Sequence, residues 1–141
     1  MKTNEVRHQF IKFTFIGGCG FLVDACILYL LHTELELGLV IARFWSFLVA
    51  VTVTWLLNRN VTFAENASKR KGAEWFKYTV ANSVGAGVNL IVFIILVNLH
   101  DVFRQHFIVS LGIASLVALV VNFTLSKNYV YRKMEQKEST R

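Results

Sequence analysis

Apolar residues gather in four long runs separated by short polar stretches. The first is Phe13 to Leu31, interrupted by Asp24, and the second is Gly38 to Leu57, interrupted by Arg43. The third runs from about Tyr78 to Leu99 with Asn82 and Asn89 inside it, and the fourth is Phe107 to Leu125, carrying Asn122. Each approaches or reaches the ~20 residues a helix needs to cross a bilayer core. Thr33–Leu37 and His100–His106 between them are short enough to be hairpins. Helix is the only open form for such runs, because every backbone N–H and C=O in lipid must find a partner inside its own segment. The pattern predicts an all-α integral membrane protein with four transmembrane helices.

The basic residues orient those helices. Lys2, Arg7 and Lys12 precede the first run, and Arg59, Lys69, Arg70, Lys71 and Lys77 stand between the second and third. Lys127, Arg132, Lys133, Lys137 and Arg141 follow the fourth. The other side has only Arg104, and Arg43 lies within a span. By the positive-inside rule both termini and the middle loop are cytoplasmic. A basic start before Val23-Asp24-Ala25-Cys26 loosely resembles a lipoprotein cleavage site, but Asp24 fits it poorly and the apolar run continues to Leu31. The first helix is therefore expected to stay.

Composition narrows the function. The chain has 141 residues, 55% of them hydrophobic and 17% charged, with no proline. Soluble chains carry about 25% charged residues, so an ordinary soluble domain is excluded. Four spans of about 20 residues leave no room for a catalytic domain or an ATPase motor. The net charge of +6 is split into blocks rather than gathered in one patch, which excludes nucleic acid as the partner. Cys19 and Cys26 are about 10 Å apart along a helix, beyond disulfide reach, and are expected to be packing thiols. His32, His100 and His106 have no metal-ligand spacing. With no phosphate loop and no nucleophile–base arrangement, neither an enzyme nor a cofactor is expected.

The two halves of the chain resemble each other. Lys12-Phe13-Thr14 matches Lys77-Tyr78-Thr79 at an offset of 65, which also sets Gly20 against Gly85 and Asp24 against Asn89. At an offset of 68, Leu48-Val49-Ala50 equals Leu116-Val117-Ala118, Trp55 meets Phe123, and Arg59-Asn60-Val61-Thr62-Phe63 meets Lys127-Asn128-Tyr129-Val130-Tyr131. Each half has two helices, so the halves point the same way through the membrane, as parallel repeats do in some transporters. The reading is one transmembrane domain built of two parallel two-helix repeats, at about 8–64 and 73–132, with a cytoplasmic tail at 133–141.

The repeat picks out polar positions. Gly20 with Asp24 and Gly85 with Asn89 each share a helix face at one-turn spacing, leaving room for a ligand group or a close helix contact. Ser46-Ala50-Thr54-Asn58 and Ala114-Ala118-Asn122-Ser126 are small and polar stripes that suit either helix packing or a polar lining. Asp24 and Arg43 are charges in the outer half of the bilayer, where an unpaired charge is costly. They form either an ion pair made for assembly, or a site in which Arg43 holds a lipid phosphate while Asp24 and Asn89 bind hydroxyls. Arg59 and Lys127, at matched helix ends, are interfacial anchors or catch a phosphate at the inner leaflet. Trp55, Trp75, Tyr78, Tyr129 and Tyr131 read as an aromatic belt at the cytoplasmic boundary.

Phe10-Ile11-Lys12-Phe13 followed by Gly17-Gly18-Cys19-Gly20 and Asp24 resembles the GtrA-like family of small four-helix membrane proteins. So do Trp55-Leu56-Leu57-Asn58-Arg59-Asn60-Val61-Thr62-Phe63 and its echo from Asn122 to Tyr131. The resemblance covers about residues 8 to 133; the family often has Asn where Asp24 and Thr54 stand. It implies a flippase moving a polyprenyl-phosphate-linked sugar from the cytoplasmic to the periplasmic leaflet of the bacterial inner membrane, for cell-surface polysaccharide synthesis. A membrane glycosyltransferase is the implied partner. The alternative it leaves is a non-transporting scaffold that recruits such an enzyme, and a small drug or ion exporter is a third reading. Arg43, Arg59 and Lys127 are candidates for the phosphate, and Asp24, Asn58, Asn89 and Asn122 for the sugar. Four short helices can hardly enclose a sugar path, so a homodimer or larger oligomer is expected.

Overall fold

A computed structural model describes residues 2–132, and the tail expected at 133–141 lies outside the described residues. The chain forms α1 (Lys2–Tyr29), α2 (Leu39–Leu57), α3 (Lys71–Leu99), a short α4 (Asp101–Gln105) and α5 (Phe107–Leu125), with no strand among the described residues. Four helical segments, Thr3–Glu34, Val40–Thr62, Lys71–Leu99 and Val109–Val130, are long and apolar enough to cross a bilayer. Within their apolar windows only 11% to 33% of the residues are buried by protein, so most of the Leu, Ile, Val and Phe side chains require lipid around them. The chain is a multi-pass membrane protein.

α1 and α3 start well ahead of the apolar runs at Phe13 and Tyr78. An apolar run marks the stretch that meets lipid, and the helix outlasts it where good helix formers continue the pattern. Glu5, Arg7, Gln9 and Lys12 do so in α1, as Ala73, Glu74 and Lys77 do in α3. Extending an existing helix needs no new nucleus.

The chain divides into two compact units, Met1–Trp75 and Phe76–Arg141. In the first, α1 packs against α2. Phe13 and Phe63 meet edge-to-face with ring centroids 6.3 Å apart. Further along, Gly20 lies against Thr54 so closely that a Cβ on the glycine would collide with the threonine methyl. A π-helical turn, Leu30–Glu34, ends α1. The reversal is then held by Leu35 N–H to the Leu30 carbonyl (3.1 Å) and Leu37 N–H to the Leu31 carbonyl (3.0 Å). The His32 ring donates from Nδ1 to the Leu37 carbonyl (2.9 Å). Glu36, at φ 52°, takes the left-handed conformation the reversal requires.

In the second unit Tyr78 and Tyr131 meet edge-to-face, again at 6.3 Å, and Gly85 lies against the Asn122 carboxamide. Its hairpin is capped by His100, whose Nδ1 accepts from Val102 N–H (3.2 Å) at the start of α4. Ser110 Oγ donates to the Phe103 carbonyl (2.9 Å).

In each unit the second helix passes into a π-helical turn, Asn58–Thr62 and Ser126–Val130. The wider turn closes with Phe63 N–H on the Asn58 carbonyl and Tyr131 N–H on the Ser126 carbonyl, both 2.8 Å. The i→i+5 bond sets Phe63 over Asn58 and Tyr131 over Ser126, and all four are buried. The stripe Ser46, Ala50, Thr54 and Asn58 is buried throughout, as are Ala114, Ala118 and Ser126. The first-unit stripe is a packing face.

Two readings are corrected. Tyr78, Tyr131 and Trp55 are buried, and so do not form an interfacial belt. Tyr78 and Tyr131 pack against each other, and Trp55 donates to the buried Glu74 carboxylate under the Arg59 guanidinium. Cys26 is exposed, so of the two free thiols only half-buried Cys19 packs.

Gly85→Ala is expected to cost about 1–3 kcal/mol, the usual penalty for forcing volume into a close contact. Asn122→Ala in the same chain should recover most of it by removing the group the new methyl strikes. Thermal unfolding in detergent measures both. An unchanged midpoint for Gly85→Ala would show that α3 and α5 do not meet there.

Candidate functional site

Asp24 lies one turn beyond Gly20 on α1, and Arg43 lies near the start of α2. Arg43 Nη1 pairs with Asp24 Oδ2. By the helical rise, Arg43 stands about 16 Å along α2 from Thr54, whereas Asp24 stands about 6 Å along α1 from Gly20. The arginine side chain therefore reaches back toward the middle of the helix pair. The pair is unevenly exposed, at 56% for the Arg43 side chain and 15% for Asp24. Asp24 Oδ1 is buried and has no hydrogen-bond partner. An unmet buried acceptor costs about 1–3 kcal/mol, and more when charged. A guanidinium has five N–H donors in a planar fork suited to an oxyanion. This one keeps part of that fork exposed, beside a carboxylate oxygen that could accept from a hydroxyl.

At the other end of the first unit, Arg59 is held. Its Nη1 donates to Glu74 Oε1 (2.6 Å) and its Nη2 to the Ser68 carbonyl (2.7 Å), while its guanidinium carbon lies 5.9 Å from the Trp55 ring centre. The Glu74 carboxylate, fully buried, also accepts from Trp55 Nε1 (3.0 Å) and Ser68 N–H (2.5 Å). Trp75 Nε1 donates to Thr52 Oγ1 (3.0 Å). Asn58, buried beside this cluster in sequence, accepts from Thr62 Oγ1 (2.8 Å). These bonds tie the Phe63–Arg70 loop to both α2 and the start of α3.

In the second unit, Asn89 Nδ2 donates to Ser115 Oγ (3.1 Å). Asn122 Oδ1 and Ser126 Oγ are buried with no partner. Lys127 Nζ lies 5.9 Å from the Phe123 ring centre and Lys77 Nζ 5.4 Å from that of Tyr129, both cation–π distances. Of the seven candidate residues, then, direct contact joins Asp24 to Arg43. Asn58, Arg59 and Asn89 bond to other residues, Asn122 lies against Gly85, and Lys127 rests over the Phe123 ring. Among the described residues no group of three His, Cys, Asp or Glu could hold a metal ion.

The family model of the GtrA/DPMS transmembrane domain matches residues 12–131. The chain belongs to this family. No curated protein matches it. As a GtrA/DPMS member it is a membrane protein related to polyprenyl-phosphate sugars, in a family that is generally non-enzymatic.

The GtrA/DPMS match runs from Lys12 to Tyr131 and so takes in both aromatic pairs, both glycine contacts and all seven candidate residues. It also includes Glu74, which the sequence reading passed over. In a loop region rich in Lys and Arg, one Glu reads as an ordinary surface charge. The usable signal was its neighbours: Trp75 and Phe76 follow it directly, so a carboxylate there stands at the edge of an apolar helix and needs a cation.

Proposed function

We propose that this chain carries a polyprenyl-phosphate-linked sugar from the cytoplasmic to the periplasmic leaflet of the bacterial inner membrane, for cell-surface polysaccharide synthesis. The observation that carries the reading is the Asp24–Arg43 pair: a guanidinium half-exposed within an apolar belt, beside a carboxylate with one unused oxygen. Burial in protein would suit a purely structural pair better, since both groups could then be fully hydrogen-bonded. A phosphodiester takes the exposed N–H donors in a charge-assisted, bidentate fashion. The sugar hydroxyls donate to Asp24 Oδ1. The prenyl tail never leaves lipid, because the guanidinium faces it. The protein works as a dimer or larger oligomer, with a membrane glycosyltransferase as the source of its cargo.

Reconstitution tests this. Liposomes containing only this protein, loaded with a short-chain polyprenyl-phosphate hexose in the outer leaflet, are expected to move the lipid to the other leaflet faster than protein-free liposomes. A rate equal to the protein-free control, together with co-purification of a glycosyltransferase, would replace the flippase with a recruiting scaffold.

A further inference from the structure

The two units carry the same three stations along their second helices, and only one set is satisfied. In the first unit, Thr54 against Gly20 donates to the Ala50 (3.0 Å) and Val51 (3.1 Å) carbonyls. One turn on, Asn58 accepts from Thr62, and Arg59 is paired with Glu74. In the second unit, Asn122 against Gly85 has a buried Oδ1 with no partner, and Ser126 one turn on is fully buried with its Oγ unpartnered. Lys127 follows, and among the described residues no carboxylate lies within ion-pair distance of it.

We infer that Asn122, Ser126 and Lys127 form the loading site for the headgroup of a hydroxyl-rich, phosphate-bearing lipid, while the matching end of the first unit is a structural clamp. This rests on the reading of the chain as a carrier of such lipids and assigns the point at which the cargo is first held. The chemistry fits each group. Asn122 Oδ1 and Ser126 Oγ share a helix face about 6 Å apart along the axis, a spacing that lets two hydroxyls of one sugar ring donate to them. Lys127 supplies the charge for the phosphate, and a lysine resting over an aromatic ring keeps its other N–H donors for an anion. Ser126 opens the π-helical turn Ser126–Val130 as Asn58 opens Asn58–Thr62, but Asn58 is bonded to Thr62 whereas Ser126 Oγ has no partner, and local readjustment of the turn can free it. Such readjustment is what a fully buried hydroxyl requires to meet a ligand. The unpartnered atoms of the first unit are scattered: Gln9 Oε1 and Asp24 Oδ1 stand about 22 Å apart along α1, and Asn66 Oδ1 lies in the loop after α2.

Binding to the purified full chain tests the assignment, with three probes: a short-chain polyprenyl-phosphate hexose, the same polyprenyl phosphate without sugar, and phosphatidylglycerol. Ser126→Ala and Asn122→Ala are each expected to weaken binding of the hexose lipid about tenfold, the loss of one hydrogen bond, and to leave the sugar-free lipid unchanged. Lys127→Gln is expected to weaken both. Thr54→Val, at the matching station of the first unit, is expected to change neither. Ser126→Ala removes only an unpartnered oxygen, so its thermal midpoint should not fall, and loss of sugar preference cannot then be laid to misfolding. If the wild type binds and translocates the hexose lipid but Ser126→Ala and Asn122→Ala bind it equally well, the loading site is wrong and the carrier reading stands. If phosphatidylglycerol binds wild type as tightly as the hexose lipid, Lys127 is a general anionic-lipid contact and the assignment fails. A wild type that binds no polyprenyl lipid overturns both.

Discussion

Arg43→Ala is expected to abolish translocation and to destabilise the first unit. Without the guanidinium, the Asp24 carboxylate remains inside an apolar segment with Oδ2 unpaired as well as Oδ1. Removing one partner of such a pair costs about 3–5 kcal/mol, because the remaining charge is left uncompensated. Asp24→Asn removes the carboxylate charge and keeps its shape. Arg43 then lacks a counter-ion, but its half-exposed side chain can reach toward the membrane surface, as long basic side chains do. Asp24→Asn should therefore lose less stability than Arg43→Ala. Replacing both by leucine should recover part of the loss seen in Arg43→Ala. Transport separates the roles, because all three variants are expected to fall about 100-fold or more, the equivalent of one strong charge-assisted hydrogen bond. Thermal midpoints and liposome transport, measured on the same preparations, give both series. A double-leucine variant that translocates at the wild-type rate would reduce the pair to an assembly contact.

That pair shows how far the sequence could be read. Two opposite charges in neighbouring apolar runs have few ways to be satisfied in lipid, so hydropathy and helical rise left an Asp24–Arg43 ion pair as one of two readings, and the structure forms the contact. The four spans were legible for the same reason, while the spacing of Gly20 and Gly85 from Asp24 and Asn89 left either room for a ligand group or a close helix contact, and the structure forms the contact. The helix limits were not, because apolar runs report where lipid begins and not where the backbone stops being helical. The π-helical turns after Leu57 and Leu125 left no signal either, since an i→i+5 bond changes the face of the next residue without changing its type. That is why Tyr131 read as a boundary ring although it is buried against Tyr78, while Trp55 is buried by its bond to Glu74, a partner outside its own helix. Arg59 was visible as a cation at a helix end, but its partner Glu74 lies across an irregular loop, where no periodicity links the two.

Glu74 carries the second large effect. Glu74→Ala is expected to cost about 3–5 kcal/mol, because Trp55 Nε1, Arg59 Nη1 and Ser68 N–H all lose their acceptor in a buried place. Glu74→Gln should cost less. Its amide oxygen can still accept from Trp55 and Arg59, but the amide NH2 now replaces the oxygen that took the Ser68 N–H. Arg59→Gln alone leaves the Glu74 carboxylate buried among neutral donors. The double variant Glu74→Gln with Arg59→Gln should therefore be more stable than the two single losses added together, with a coupling of about 0.5–3 kcal/mol. Proteolysis supplies an independent measure. Lys69, Arg70 and Lys71 are exposed beside Ser68, whose backbone is tied through both its N–H and its carbonyl. Trypsin needs a locally opened chain to cut there, so Glu74→Ala should be cleaved in this loop much faster than the wild type. Glu74→Gln protein that remains folded should still translocate, since the carboxylate holds the loop and meets no cargo. Wild-type stability and wild-type cleavage in Glu74→Ala would mean that the Phe63–Arg70 loop is held by something other than this carboxylate. Loss of transport in a fully folded Glu74→Gln would mean that Arg59, once released, enters the transport path.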